Sequence, residues 1–155
     1  MAIMPFWPSA APLRLLISNG LATMGFAVPA AIAAALARPG QPVVCMVGDG
    51  GLAMTVAELE TLARLQLPVT VVVFDDAALS LIEIKQKRGQ GGSDAVRFGP
   101  IDYARVAAAM GLDAGTATST SDVVSLLSAG WDRPRLIDAR IDPRTYTGLI
   151  AATRG

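Results

Sequence analysis

The stretch from Val43 to Asp76, which reads VVCMVGDGGLAMTVAELETLARLQLPVTVVVFDD, decides the fold. It begins with one apolar run, VVCMV, and ends with a second run, VTVVVF, that starts at Val69. Short apolar runs bounded by Gly, Pro and Asp are typical of strands that are buried on both faces. Between the two runs, an apolar stripe at helical spacing predicts a helix from Met54 to Leu65. Strand, helix and strand in this order predict a parallel βαβ unit.

The same alternation continues on both sides of this unit. Besides Val43 to Val47 and Val69 to Phe74, strands are predicted at Leu13 to Ile17, Gly115 to Thr118 and Leu136 to Ile141. Besides Met54 to Leu65, helices are predicted at Gly25 to Leu36, Leu79 to Lys87, Tyr103 to Met110 (capped by Asp102) and Ser121 to Ser128 (capped by Ser119, Thr120 or Ser121). Five strands that alternate with helices predict an α/β fold with a doubly wound, mostly parallel sheet and helices on both faces.

The bulk composition fits one domain with one sizeable core. The chain has 155 residues, of which 52% are hydrophobic and 17% are charged, and the charged share lies below the roughly 25% usual for soluble domains. Two interpretations stay open: a well-buried parallel sheet, or an apolar surface that is buried against another domain or subunit. Residues 1–12 are apolar and broken by proline, which predicts a linker or cut edge from an upstream domain, with the binding domain at 13–155.

Charge and residue usage exclude several classes of function. The formal net charge is zero, no basic run occurs and histidine is absent, so nucleic acid is not an expected partner. Without histidine, a Ser-His-Asp triad or a His-rich zinc site cannot be built from this chain. The single cysteine, Cys45, is predicted to be a buried structural thiol, and the lack of any internal disulfide fits a reducing cytoplasm.

One long uncharged stretch needs a separate interpretation. Residues Leu15 to Ala37 carry no charge and are numerous enough to span a bilayer. The stretch contains Asn19, Gly20 and Pro29 and is richer in Ala than in Leu or Ile. It therefore predicts a strand, a loop and a helix of small residues, and no membrane partner is expected.

The main candidate site is the turn from Gly48 to Gly51, at the carboxyl end of a predicted strand. Ligands of open parallel sheets bind at this edge, where glycines let the backbone approach a phosphate and a following helix offers free N–H groups. Asp49 would repel a bare phosphate but can hold a Mg²⁺ ion that bridges to one. Asp75 and Asp76 end the next strand and should lie at the same edge, although an acidic turn that merely ends a strand is the alternative.

The two turns resemble the signature of thiamine-diphosphate enzymes. Their pattern is GDG, then roughly two dozen residues, then Asn-Asn or Asn-Asp; here Asp76 follows Asp49 by 27 residues. Ser18 to Gly51 and Met54 to Gln86 are similar to the same regions of the acetolactate synthase, benzoylformate decarboxylase and pyruvate oxidase group. The resemblance covers about residues 12–145 and implies the carboxy-terminal, diphosphate-binding domain of such an enzyme, with thiamine diphosphate and Mg²⁺ as cofactors.

The resemblance also implies roles for individual residues. The expected metal ligands are side-chain oxygens of Asp49 and Asp76 and the backbone carbonyl of Ala78. The expected cofactor contacts are the glycine turn at Gly48, Gly50 and Gly51, the backbones of Ala22 and Met24, and Ala78. Met24 would also support the bent shape of the cofactor, whereas its spacing alone favours simple core packing.

The chain departs from the family pattern in two places. Asp75 stands where the family usually has Asn, which adds a negative charge beside the metal. The segment 79–85 is where the family lines its substrate pocket, with Leu81, Ile82 and Lys85 as candidates, but it lacks the Gln-Trp pair of biosynthetic acetolactate synthases. The alternative is that this helix presents Glu83 and Lys85 to solvent.

No catalytic residue is expected in this chain. The family's activating glutamate lies on a pyrimidine-binding domain that normally precedes this one and usually acts across a dimer interface. The sequence therefore predicts half of the active site of an enzyme acting on a small 2-oxo acid, by decarboxylation or carboligation, which is inactive alone and works in a homo-oligomer. The alternative is a non-catalytic nucleotide-binding or assembly domain of the same fold.

Overall fold

In the part of the chain that the structure describes, the sheet has four parallel strands. The computed structural model describes residues 7–89, 94–146 and 148. The strands are β1 (Val43–Gly48), β2 (Val69–Asp75), β3 (Asp113–Ala117) and β4 (Arg135–Arg140), in the spatial order β1-β2-β4-β3. All three pairings between neighbours are parallel, which confirms the predicted α/β class.

Helices cover both faces of this sheet. They are α1 (Ala27–Ala37), α2 (Asp49–Ala53), α3 (Glu58–Arg64), α4 (Ser80–Gly89), α5 (Tyr103–Ala109) and α6 (Thr120–Ser128), with 3-10 turns at Asp94–Val96 and Pro143–Thr145. On one face, α1, α3 and α5 bury side chains such as Val28, Leu62 and Ala107 against Val71 and Leu136. On the other face, α6 packs Leu126 and Leu127 against Val72 and Ile137. The doubly wound arrangement is therefore confirmed.

Two helix starts follow the predicted cap chemistry. Asp102 accepts a hydrogen bond from the backbone N–H of Arg105 at 2.9 Å and begins α5. Ser119 begins α6 with a capping box, in which its hydroxyl accepts from the N–H of Asp122 and the Asp122 carboxylate accepts from the N–H of Ser119. Both caps satisfy N–H groups that a helix start leaves free.

The predicted strand at Leu13 to Ile17 is wrong. This stretch has no regular structure, Leu13 has a φ of 59°, and its side chain is 77% exposed. Within the described residues, β1 pairs only with β2, so an apolar run ahead of it finds no strand partner. The run was apolar enough for a strand, but strand structure requires a pairing edge as well as apolar side chains. Residues 1–6 of the predicted linker lie outside the described part of the chain.

The single helix predicted from Met54 to Leu65 is also wrong in detail. The chain turns helical already at Asp49, leaves the helix at Met54–Ala57 and resumes as α3. Bonds to the third residue back, such as Thr55 N–H to Leu52 O at 2.9 Å, tighten the chain there. Met54 is consequently 61% exposed and is not part of the buried stripe, whereas Leu59 and Leu62 are fully buried.

Two further sequence predictions concern the core and the bilayer. Cys45 is buried, and this burial raises the pKa of its thiol to about 12, as expected of a structural cysteine. Among the described residues, no helix has the length and apolar character that a membrane crossing requires. The uncharged stretch that starts at Leu15 forms a loop and then α1.

Candidate cofactor and metal site

The two acidic turns lie side by side at the carboxyl edge of the sheet. Asp49 directly follows β1 and is the first residue of α2, while Asp75 ends β2. Because Gly48 pairs with Phe74 across the two strands, the turns leave the sheet at the same level. Asp49 and Asp75 are each only 3% exposed. The predicted neighbourhood of the two turns is therefore confirmed.

Asp49 is a buried carboxylate with one oxygen unused. Its Oδ1 accepts the N–H of Gly50 at 2.7 Å, while Oδ2 is buried and has no hydrogen-bond partner among the described residues. Burial raises the pKa of Asp49 to about 6; its contact with the Asp75 carboxyl group and the charge of Asp76 push the pKa in the same direction. The site thus has an excess of negative charge, and the buried Oδ2 of Asp49 is available to a cation.

This arrangement fits a magnesium ion only if other oxygens complete its shell. Among the described residues, no three His, Cys, Asp or Glu side chains are grouped to hold a metal. Magnesium in proteins commonly takes one or two carboxylates and fills its octahedron with phosphate oxygens, carbonyls and water. The donor set of Asp49, Asp76 and one backbone carbonyl is of that kind.

The turn after β2 carries the second predicted metal ligand. The Asp76 carboxylate accepts a hydrogen bond from the hydroxyl group of Ser80, while burial and the nearby charge of Asp76 raise the pKa of Tyr146. The Oδ1 of Asp75 accepts the N–H of Ala77 at 3.0 Å and so holds Ala77 at a φ of 56°. Ala78 is buried and forms an isolated antiparallel bridge with Arg97. The turn that bears Asp76 and Ala78 is therefore fixed by side chains on both sides.

Gly50 is the point where three segments meet. A Cβ atom at Gly50 would lie 2.5 Å from Cδ2 of Leu79 and 3.4 Å from Cε of Met24. Met24 is 41% exposed, so it lies over the glycine turn and not in the core, which argues against the simple core interpretation. A Cβ at Gly51 would lie 3.2 Å from Cγ2 of Val47, whereas Gly48 borders open space. Within the predicted diphosphate turn, Gly50 and Gly51 therefore have little room for a side chain, whereas Gly48 has room for one.

The segment before α1 approaches the glycine turn in a strained conformation. Ala22 has a φ of 50° and Gly25 a φ of 78°. A Cβ at Gly25 would lie 3.0 Å from Cγ2 of Thr55 and 3.6 Å from Cβ of Met54. Gly25 therefore lets this segment, with Met24, approach the glycine turn.

We expect Gly25→Ala to lower the free energy of unfolding by about 1 to 2 kcal/mol, because a side chain disfavours positive φ and meets Thr55. Urea unfolding of the chain without cofactor measures the change. The matched control is Gly48→Ala, at a φ of −78° with nothing within 4 Å of the new Cβ, and we expect a change within about 0.5 kcal/mol. If Gly25→Ala and Gly48→Ala lowered the free energy of unfolding equally, the assigned role of Gly25 would be wrong.

The three candidate substrate residues lie on the first turns of α4. Leu81 and Ile82 are 36% and 40% exposed, and Lys85 is exposed as well. Glu83 is different: its side chain is 13% exposed and its carboxylate lies 2.6 Å from Arg97 and 3.0 Å from Lys87. These cations hold the pKa of Glu83 below its usual range. The alternative that both charges face solvent is therefore correct for Lys85 and wrong for Glu83.

Residues that the sequence analysis did not single out contact the acidic edge, which is the carboxyl edge of the sheet with Asp49, Asp75 and Asp76. The hydroxyl of Tyr103 donates to the backbone carbonyl of Asp49 at 3.2 Å, which ties α5 to the glycine turn. Arg140 pairs with Asp75 and with Asp138, a carboxylate that is fully buried. One sequence signal was available for this pair. Asp138 lies inside the apolar run of β4, and an aspartate is costly to bury unless it has a partner.

Together these features define the class of the protein: an α/β domain built to hold a diphosphate-bearing cofactor at the carboxyl edge of a parallel sheet. The family model for the carboxy-terminal TPP-binding domain of thiamine pyrophosphate enzymes matches residues 1–139. The chain belongs to this family, and thiamine diphosphate is the cofactor that the family implies. The resemblance inferred from the two turns is thereby confirmed.

Individual relatives agree with this membership. The chain is similar to the acetolactate synthase of Bacillus subtilis (strain 168), with 35% identity over 139 residues, 88% of this chain and 24% of the relative. It is 38% identical to the large subunit of acetolactate synthase isozyme 1 of Escherichia coli (strain K12), over 88% of this chain and 25% of the relative. The chain thus spans about a quarter of the length of these relatives.

A solved structure supports the fold. The thiamine diphosphate-dependent 4-hydroxybenzoylformate decarboxylase of Rhodococcus jostii RHA1 superposes with a TM-score of 0.69 at 24% sequence identity. The superposition covers 77% of this chain and 24% of that enzyme. The parallel α/β arrangement described above is therefore that of a domain in a thiamine-diphosphate enzyme.

Proposed function

We propose that this chain binds the diphosphate of thiamine diphosphate through Mg²⁺ and forms half of the active site of an acetolactate synthase-like enzyme that acts on 2-oxo acids. The observation that carries the proposal is the Asp49 carboxylate, buried at the end of β1 with its Oδ2 unpaired and two further aspartates beside it. A buried charge of this kind is costly unless a cation compensates it.

In this proposal, Asp49, Asp76 and the carbonyl of Ala78 are the protein ligands of the metal. The N–H groups of the turn formed by Gly48, Gly50 and Gly51 receive the diphosphate, and the backbones of Ala22 and Met24 hold the aminopyrimidine. The contact of Met24 with Gly50 supports this arrangement, because it brings the two segments together at one point. Residues 13–155 form the binding domain and residues 1–12 its link to a preceding domain.

The bound cofactor supplies the carbon nucleophile and the electron sink for 2-oxo acid chemistry. The chain's own residues position it, and none of its described glutamates joins the acidic cluster. Glu60 pairs with Arg64, Glu83 pairs with Arg97, and Glu58 accepts a hydrogen bond from Thr61. These contacts support the expectation that the activating glutamate belongs to a pyrimidine-binding domain and that this chain is inactive alone.

Exposed apolar side chains in the segment before α1 and at the end of α2 support a partner domain. Leu21 is 92% exposed, Met54 is 61% exposed and Leu16 is 56% exposed, although all three are apolar. Exposed apolar surface commonly marks a contact with another domain or subunit where it is contiguous. We propose that these side chains contact the pyrimidine-binding domain, across a dimer interface in a homo-oligomer. The cytoplasmic location stays a prediction of the sequence.

The substrate side of the proposal rests on α4. The turn that carries Asp76 and Ala78, here called the metal turn, is followed directly by α4. This helix exposes Leu81, Ile82 and Lys85, so a small 2-oxo acid can reach them. Lys85 offers a positive charge that suits a carboxylate. The lack of the Gln-Trp pair argues against biosynthetic acetolactate formation as the particular reaction.

Calorimetric titration tests the proposal against a non-catalytic nucleotide-binding or assembly domain. Thiamine diphosphate is titrated into the chain with and without Mg²⁺, beside Asp49→Ala. We expect binding that requires Mg²⁺ and is lost in the variant. If the chain alone shows no heat, the titration is repeated with a pyrimidine-binding domain supplied. Continued silence, or binding of NAD or ATP in place of thiamine diphosphate, would overturn the proposal.

A further inference from the structure

Arg140, the last residue of β4, joins two buried carboxylates. Its Nη1 lies 2.6 Å from Oδ2 of Asp75 and its Nη2 lies 2.7 Å from Oδ2 of Asp138, whose side chains are 2% and 0% exposed. Nη2 also donates to the carbonyl of Ile101 at 2.9 Å. The Arg140 side chain itself is 32% exposed, so the guanidinium closes the acidic edge from the solvent side.

A continuous set of contacts leads from Arg140 to the metal turn. Arg140 forms an ion pair with Oδ2 of Asp75 that is not aligned as a hydrogen bond, and the N–H of Ala77 donates to Oδ1 of the same carboxylate at 3.0 Å. The backbone carbonyl of Asp75 accepts the N–H of Ile141 at 3.0 Å, which fixes the main chain as well. Because the hydrogen bond to Ala77 and the ion pair with Arg140 act on different oxygens, rotation of the carboxylate would weaken the ion pair and release Ala77 from its left-handed conformation at a φ of 56°.

We infer that Arg140 is a positioning residue of the metal end of the site: it orients Asp75, which in turn fixes the turn that presents Asp76 and the carbonyl of Ala78. This inference rests on the proposed function. It also accounts for the departure from the family pattern at position 75. An asparagine there carries no charge, whereas Asp75 adds one beside Asp49, and Arg140 balances it.

Removal of Arg140 has two opposing effects on a cation at the site. The loss of a positive charge increases the attraction for Mg²⁺, but a guanidinium that is one-third exposed is screened by water and salt. The loss of the ion pair leaves the Asp75 carboxylate beside Asp49 without its cation and loosens the turn that carries two of the three ligands. When the residues that support metal ligands are mutated, the metal affinity of the site typically falls tenfold to a hundredfold. The second effect therefore dominates.

A double-mutant cycle with Arg140→Met, Asp75→Asn and the double variant tests the inference. The dissociation constant of thiamine diphosphate is measured at saturating and at limiting Mg²⁺, under the condition in which the wild-type chain binds. We expect Arg140→Met to weaken binding at least tenfold, mostly at limiting Mg²⁺. In the Asp75→Asn background, the same substitution should change binding less than about twofold, because no charge at position 75 then needs a partner.

Two control variants separate positioning from general effects. Arg144→Met removes the same charge from an exposed side chain that pairs only with Asp142 among the described contacts, and binding should stay unchanged. Arg135→Met lowers stability at the opposite edge of the sheet, and at a temperature where the chain remains folded it should also leave binding unchanged. Thermal melting of each variant without cofactor verifies the folded fraction.

The outcomes distinguish the inference from the proposed function. A wild-type chain without Mg²⁺-dependent binding, even with a pyrimidine-binding domain supplied, overturns the proposed function and the inference together. If the wild-type chain binds the cofactor and Arg140→Met does not weaken this binding, the inference alone is overturned. The same holds if Arg140→Met weakens binding equally with Asp and with Asn at position 75. A loss of binding in Arg135→Met as large as in Arg140→Met also overturns it, since the effect would then follow stability and not position.

Discussion

Asp49→Asn is expected to abolish Mg²⁺-dependent cofactor binding and, at the same time, to stabilise the chain without cofactor. Asparagine keeps an oxygen for the N–H of Gly50 but removes the charge that lies, with an unpaired Oδ2, beside Asp75. Its amide can donate to the Asp75 carboxylate where two carboxyl groups now meet. We expect the cofactor affinity to fall at least a hundredfold and the free energy of unfolding at pH 7.5 to rise by about 2 to 3 kcal/mol.

The pH dependence of this gain follows from the raised pKa of Asp49, about 6 in the folded chain against 3.8 as the reference value. Between these values the folded state binds the extra proton, so the contribution of Asp49 to wild-type stability is most favourable below pH 3.8 and is lost as the pH rises through 6. The advantage of Asp49→Asn should therefore be full above pH 7 and vanish near pH 4. Urea unfolding across this range measures it.

Asp132→Asn is the matched control for this prediction. Asp132 undergoes the same change of charge, but its side chain is 71% exposed and contacts only Arg133 among the described ion pairs. We expect its stability difference from wild type to stay within about 0.5 kcal/mol at every pH. A wild-type chain that is more stable than Asp49→Asn at pH 7.5 would show that the Asp49 carboxylate is not a strained charge.

The second large effect is expected at Arg135, where Arg135→Met should cost about 3 kcal/mol of stability. The guanidinium is 3% exposed, lies 2.6 Å from Asp113 and donates to three carbonyls at the end of α6: those of Leu126, Ala129 and Gly130. Methionine fills similar space but leaves these acceptors without a donor, and a broken buried ion pair is strongly destabilising. For a domain of this size, Tm should fall by roughly 6 to 12 °C.

Arg133→Met serves as the comparison for Arg135. Its side chain is 61% exposed and pairs with Asp132 at 3.4 Å, so we expect a change of Tm of no more than about 1 °C. Thermal melting followed by circular dichroism measures both variants. If the two variants melted together, the contacts of Arg135 would be of no consequence for stability.

Much of the fold could be predicted from the sequence because local signals and tertiary structure agree there. The runs at Val43 and Val69 became neighbouring strands, and the two acidic turns met as expected. The failure at Leu13 to Ile17 has a physical cause: an apolar run is compatible with a strand but contains no information about its pairing partner. The early start of α2 at Asp49 was missed because glycine-rich turns normally precede a helix and do not belong to it.

The candidate site was predictable only as far as motifs describe it. Asp49 and Asp76 stand in a recognisable pattern, but Arg140 reaches Asp75 through the pairing of β2 with β4, which no local spacing reveals. Tyr103 and Tyr146 likewise reach the acidic turns from distant parts of the chain. The long-range contacts that orient a site are the part that sequence patterns leave open.

The close approach of Met24 and Leu79 to Gly50 has a consequence for redesign of the site. Two residues of different segments share the space that one missing side chain leaves, 2.5 Å and 3.4 Å from the vacant Cβ position. A library that varies either residue alone explores only shapes compatible with glycine in the middle. Selection for a new substrate would therefore have to treat positions 24, 50 and 79 as one linked unit, and beneficial changes there should arrive in combination.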